Sequence, residues 1–165
     1  MGKTHDNDEE FIKLFKEREK KIFFTILGIL RKQDGAEDVF QETAIKGLKN
    51  FHALKDKSSF NAWIIKIAIN NSYDFLKKQK RLYDVSELNI PYYDDYSEDD
   101  SILFSSLDSL SKDERIVVIL KVFKDISYNE ISKITNRPIN TLKSVYSRSL
   151  KKMIKHLEAK GYTLE

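Results

Sequence analysis

Cysteine is absent from this 165-residue chain. Disulfides, thiolate zinc sites, iron–sulfur clusters and thiol nucleophiles are excluded with it, and the composition fits a reducing compartment. Proline and glycine are scarce, at two and five residues, which favours helices over a turn-rich sheet protein. Long apolar runs are missing too. The longest, Ile22 to Leu30, contains Thr25 and Gly28 and falls well short of the roughly 20 residues that span a bilayer. The opening MGKTHDNDEE lacks the apolar stretch of a signal peptide, and Asp6 stands where myristoylation wants a hydroxyl. A cytoplasmic location is the expectation.

Catalytic patterns are equally lacking. There is no phosphate-cradling G-x-x-x-x-G-K-S/T loop, no G-x-S-x-G elbow and no H-E-x-x-H pair. His5, His52 and His156 lie far apart, without metal-ligand spacing. Glu37, Asp38 and Glu42 could face a divalent ion, but no second acidic cluster supports them outside the segment discussed next. No enzyme activity, cofactor or metal is expected.

What the chain does have is charge, unevenly placed. Residues 1–82 carry 17 basic and 12 acidic side chains, residues 83–109 carry eight acids and no base, and residues 110–165 carry 12 bases and six acids. Two basic segments therefore flank an acidic one. The stretch from Tyr83 to Ser101 shows little helical period and contains Pro91, so it reads as a flexible linker. Its tyrosines, Tyr83, Tyr92, Tyr93 and Tyr96, could equally pin it to a surface.

Beyond the linker, Ser127 and Glu130 have capping-box spacing. Ile131 and Ile134 follow at one-turn spacing, then Thr135-Asn136-Arg137-Pro138 breaks the helix. Asn tolerates a left-handed backbone and Pro cannot extend a preceding helix. Asn140 or Thr141 can cap the next one. This is a helix-turn-helix pattern, which presents its second helix to a DNA groove. With Lys143 at zero and about 100° per residue, Ser144, Ser147, Arg148, Lys151 and Lys155 fall at about 40° to 140°. Leu142, Tyr146, Ser149, Met153 and Leu157 fall at about 240° to 320°. From Asn140 to Leu157 there are five lysines and arginines and no acid. A solvated lysine face would look similar, but the preceding turn and the missing acids favour phosphate and base-edge contact.

The N-terminal half reads as three or four helices. Asp8 to Lys32 carries a helical apolar face with room for a bend near Glu17–Lys20, and Gln33-Asp34-Gly35 is a turn. Ala36 to Phe51 has Val39, Phe40, Ile45 and Leu48 as its apolar positions and an acidic first half, which also suits the helix dipole. A polar loop covers His52 to Ser59. Phe60 to Arg81 is a long helix with a basic end.

Three strings combine in order and spacing. AEDVFQETAIKGLKNF (Ala36–Phe51), FNAWIIKIAINNSYDFLKKQKR (Phe60–Arg81) and the Leu110–Met153 helix-turn-helix segment together resemble the extracytoplasmic-function (ECF) sigma factors of the sigma-70 family. The resemblance runs from about Phe11 to Leu157. It implies an all-α protein of two small helical domains joined by a flexible acidic linker: sigma-2 at residues 8–82, linker at 83–103, and sigma-4 with the helix-turn-helix at 104–160. It implies a non-enzymatic factor that binds core RNA polymerase through the β′ clamp and the β flap. Such a factor directs initiation at promoters by −10 and −35 recognition, in a stress response. It also implies a membrane-bound anti-sigma factor that wedges between the domains.

Residue by residue, the resemblance places Asp38, Gln41 and Glu42 against the polymerase clamp, where an acidic face suits a basic partner. Residues Lys55 to Phe60, with Lys55, Lys57, Ser58 and Ser59, match a loop that captures a flipped −10 base, and Asn70 matches a pocket residue that reads a base edge. Lys66, Lys77, Lys78, Lys80 and Arg81 would hold phosphates. Trp63 fits either core packing or strand separation. Arg137, Asn140, Thr141, Lys143, Ser144, Ser147, Arg148 and Lys151 would face the −35 duplex. The chain departs from the family pattern at Leu54, where an aromatic is common beside the flipped base, and at Gly35, where Asp is usual. It departs also at Val145, where Arg is frequent, and at Ser111, where Pro is common. Two other classes compete: a helix-turn-helix regulator that binds DNA as a dimer without polymerase, and a pure interaction module. The first has no use for Trp63, Asn70 and a basic helix end, and the second has no use for either basic face.

Overall fold

The computed structural model of the chain describes residues 2–31, 34–82, 98–122 and 126–163. It divides into two compact units, Met1–Leu88 and Asn89–Glu165. Every regular element among the described residues is helical.

The first unit holds α1 (Gly2–Lys16), α2 (Glu19–Leu30), α3 (Ala36–Asn50) and α4 (Phe60–Leu82). The periodicity over Asp8–Lys32 resolves into two helices, with the expected bend a full break at Glu17-Arg18. Arg18 explains why the break holds its angle. Its Nη1 donates to the Leu14 carbonyl at 3.0 Å, its Nε donates to Asn61 Oδ1 on α4, and its guanidinium lies over the Phe60 ring. The apolar run of α2 is buried almost all round, as a central helix packed on α3 and α4 must be. Phe11, Phe15, Phe51 and Phe60 form an aromatic core with ring centroids 5.5 to 5.9 Å apart. Gly47 admits that core to α3. A Cβ there would stand 2.9 Å from the Phe11 ring and 2.8 Å from Ile64 Cδ1. The turn before α3 is closed by Gly35 at φ +86°, with the Phe75 ring lying where a Cβ would point. The departure from Asp at this position thus has a physical counterpart, since a side chain here would be strained and would collide.

The second unit holds α5 (Glu98–Ser106), α6 (Lys112–Val122), α7 (Tyr128–Thr135) and α8 (Ile139–Ala159). Residues 83–97, with most of the expected linker and its tyrosines, lie outside the described residues. Helix α5 begins at Glu98, inside the segment 83–103 that its acidity marked as linker, and Phe104 and Leu107 that follow are core residues. An acidic run suits a helix N-terminus as well as a solvated spacer, and composition alone does not separate the two. Ser111 and Glu114 exchange hydrogen bonds across the start of α6. Ser127 and Glu130 form the expected capping box of α7, and Asn136 ends α7 at φ 56°. Ser132 Oγ donates to the Arg137 carbonyl at 2.6 Å and pins the turn. One expectation is corrected here: α8 is capped by Pro138, not by Asn140 or Thr141, which lie in its first turn. Proline brings its fixed φ to the cap position but no side-chain acceptor, so α8 starts without a side-chain cap hydrogen bond. Leu142, Val145, Ser149, Met153 and Leu157 bury the inner face of α8.

Candidate nucleic-acid and partner surfaces

Helix α3 turns its acids outward. Asp38, Gln41 and Glu42 are all exposed, and Ile45 and Leu48 are exposed beside them, at 54% and 37%. The last two are apolar positions of the helix by sequence, and they lie outside the core. The core side of α3 is instead Ala36, Val39, Thr43 and Gly47. The result is an exposed face that is acidic and polar in its N-terminal half and apolar at Ile45 and Leu48 in its C-terminal half. Glu42 also meets Lys46 at 3.1 Å.

The loop between α3 and α4 is organised by Asp56. Its Oδ1 accepts from the Ser58 amide at 3.0 Å and from Ser58 Oγ at 2.6 Å. Those bonds hold its carboxyl below the usual aspartate value, the Ser58 hydroxyl foremost. Lys57 turns back onto the loop, its ammonium 3.5 Å from the Phe51 ring centroid and donating to the Phe51 carbonyl at 3.4 Å. Lys55 and Ser59 are exposed. On α4, Trp63, Lys66, Asn70, Tyr73 and Lys77 fall within one stripe of about 80°. Lys66, Asn70, Lys77 and Lys78 are exposed. Lys80 and Arg81 continue the helix, and their side chains lie outside the described residues. Trp63 is half-buried, tilted against Phe51 and Phe60. It belongs to the rim of the core, with part of its surface on the stripe.

On α8, Asn140, Thr141, Lys143, Ser144, Ser147, Arg148 and Lys151 are all exposed. Ser144 Oγ donates to the Asn140 carbonyl at 3.1 Å. Val145, where the family pattern often has Arg, is a core residue at 7% exposure. Arg137 is half-exposed and paired with Asp113 at 3.1 Å.

Lys121, Tyr128 and Asn71 escaped the sequence. Lys121 at the end of α6 and Lys143 on α8 lie 4.3 Å and 5.8 Å from the Tyr128 ring centroid. Neither lysine has an acidic partner among the described residues. Burial, with Tyr146 beside it, pushes the Tyr128 hydroxyl above the ordinary tyrosine value, so it remains a proton donor. The two ammonium groups contact the Tyr128 ring as cation–π partners and place positive charge where α6, α7 and α8 meet. Sequence spacing carried no signal for this, because the three lie on different elements. Asn71 is a second case. It is 2% exposed, accepts from Lys46 Nζ at 2.7 Å and donates to Thr43 Oγ1 at 3.2 Å. It ties α4 to α3, while its neighbour Asn70 points to solvent without a partner among the described residues.

A helical unit with a docking face and a basic stripe, together with a helix-turn-helix unit, defines a class of multidomain helical proteins. Comparisons with known proteins place the chain within it. Residues 14–82 match the family described as Sigma-70 region 2, and residues 102–153 match Sigma-70, region 4. The chain is 32% identical over 127 residues to RNA polymerase sigma factor SigV of Bacillus subtilis, covering 75% of this chain and 76% of that protein. It is 26% identical over 125 residues to the ECF RNA polymerase sigma-E factor of Haemophilus influenzae, covering 65% of this chain and 66% of that one. Among solved structures, the sigma factor RpoE of Bartonella quintana, crystallised with the anti-sigma factor NepR, superposes with a TM-score of 0.79 at 24% identity. That superposition covers 91% of this chain and 98% of RpoE, and it shows the shared fold. The chain belongs to the ECF group of the sigma-70 family: it is an RNA polymerase sigma factor that directs promoter-specific transcription initiation. It is a transcription regulator, and among the described residues no helix is long and apolar enough to cross a membrane.

Proposed function

We propose how this chain divides that work among its residues. Asp38, Gln41 and Glu42, with Ile45 and Leu48 beside them, dock on the β′ clamp of core polymerase. The loop of Lys55, Lys57, Ser58 and Ser59 receives a flipped −10 base, Asn70 reads a base edge beside it, and Lys66, Lys77, Lys78, Lys80 and Arg81 hold phosphates. Arg137, Asn140, Thr141, Lys143, Ser144, Ser147, Arg148 and Lys151 face the −35 duplex, with Lys121 and Tyr128 completing a phosphate contact at its edge. The second unit also meets the β flap. The factor works in the cytoplasm without catalysis of its own, held in reserve by an anti-sigma factor, as the complex of RpoE with NepR suggests by analogy.

The observation that carries this reading is the sorting of α8. Every candidate contact residue on it is exposed, the buried residues occupy the opposite face, and no acid interrupts the exposed one before Glu158. The deciding experiment is reconstitution. Purified chain added to core polymerase should start transcription at one defined promoter, and substitution of Asn70 or Arg148 should each reduce it. Initiation that ignores both substitutions would remove the assignment of these two surfaces.

A further inference from the structure

The first turn of α6 carries two acids, and each holds a cation of the helix-turn-helix. Glu114 Oε1 accepts from Lys152 Nζ at 2.7 Å, and Asp113 Oδ2 accepts from Arg137 Nη2 at 3.1 Å. The two pairs differ in kind. Glu114 also closes the start of α6 with Ser111, so it has a structural task. Asp113 has no second bond among the described residues, and its side chain is 65% exposed. The turn does not need the pair either, because Asn136 in the left-handed region and the Ser132 hydroxyl already fix the backbone at Arg137. Arg137 directly precedes Pro138, the cap of the helix whose outer face is cationic. A phosphate that reaches this guanidinium meets a carboxylate already hydrogen-bonded to the same group.

We infer that Asp113 competes with DNA phosphate for Arg137, and so lowers the affinity of the helix-turn-helix for DNA of any sequence. The inference rests on the reading of α8 as the DNA-facing helix. An exposed ion pair is weak, so the brake is mild and reversible, and screening by salt weakens it further. Its consequence is that free Arg137 charge is withheld from non-specific duplex until close approach of a phosphate exchanges one anion for the other.

The test is binding of the full chain, in complex with core polymerase, to a fluorescently labelled promoter duplex and to a scrambled one, from about 50 to about 200 mM salt. Asp113→Asn should tighten binding to both duplexes about two- to fivefold and steepen the salt slope by about one. Asp113→Glu should restore the original behaviour. In an Arg137→Ala background, Asp113→Asn should have no further effect. Lys151→Ala, which lies outside the pair, should weaken binding in every background. No tightening by Asp113→Asn overturns the inference. So does equal tightening with and without Arg137, which would make Asp113 a generic negative charge. If Lys151→Ala also leaves binding unchanged, the DNA-facing reading of α8 fails first, and the brake falls with it.

Discussion

Adjacent asparagines on α4 do opposite things. Asn71 is buried and bonded to Lys46 and Thr43, whereas Asn70 is exposed. Replacing Asn71 with Ala should cost about 1–3 kcal/mol of stability in denaturant unfolding, and Asn70→Ala about 0.5 kcal/mol or less. Open-complex formation should follow the reverse order once stability is accounted for, with Asn70→Ala the more damaging at the −10 element by permanganate footprinting. The sequence alone could not tell the two apart, because which of two neighbours faces α3 depends on the helix's rotation against it, and that is settled by packing. Glu114 offers a pH test. The Lys152 ammonium, then the Ser111 amide, hold its carboxyl below the ordinary glutamate value. A depressed folded-state pKa gives stability that is present above the unfolded value of 4.5 and is lost as pH falls through the folded one. Glu114→Gln should therefore flatten the acid limb of a stability-against-pH curve below pH of about 4.5 and lower stability at neutral pH. An acid limb identical to that of the unsubstituted chain would show that the Lys152 contact contributes nothing in solution.

Elements defined by local signals were legible, and those defined by their neighbours were not. The capping box at Ser127 and the left-handed Asn136 follow from residues three or fewer apart, and both stand as expected. Ile45 and Leu48 carry the correct helical spacing, yet no other helix among the described residues covers them, and period alone does not report that. Their exposure sharpens what α3 should do. Asp38→Arg with Glu42→Arg should weaken core polymerase binding through charge, and Ile45→Ala through lost contact area, both with unchanged circular dichroism. Salt should reduce the penalty of the first change and not of the second. Along α8 the position of Lys143 beside Tyr128 separates it from Arg148. Lys143→Ala, like Lys151→Ala, should weaken binding to all −35 sequences and lower the salt slope by roughly one. Arg148→Ala should alter which −35 sequence a randomised library returns. A selected motif that stays constant through all three would make Lys143, Arg148 and Lys151 phosphate contacts only, with −35 preference left to Arg137, Asn140 or Ser144.

At the scale of the molecule, the charge partition along the chain divides into units that each carry their own core and their own exposed face. Order along the sequence was enough to read that division. The start of α5 was not, because the acidic run that ends the linker also begins a helix. Two faces on separate units have a thermodynamic consequence. Asn70 and Arg148 share no partner among the described residues and belong to different units. Removing each should therefore cost the same whether or not the other is present, to within about 0.5 kcal/mol. The quantity to measure is holoenzyme affinity for one promoter across the four combinations of Asn70→Ala and Arg148→Ala. The logarithms of the two losses should add in the double variant. A double variant no worse than the poorer single one would mean that the faces do not act in parallel. In that case −35 contact would serve as a precondition for −10 reading, and the two units would have to be described as one coupled device on the promoter.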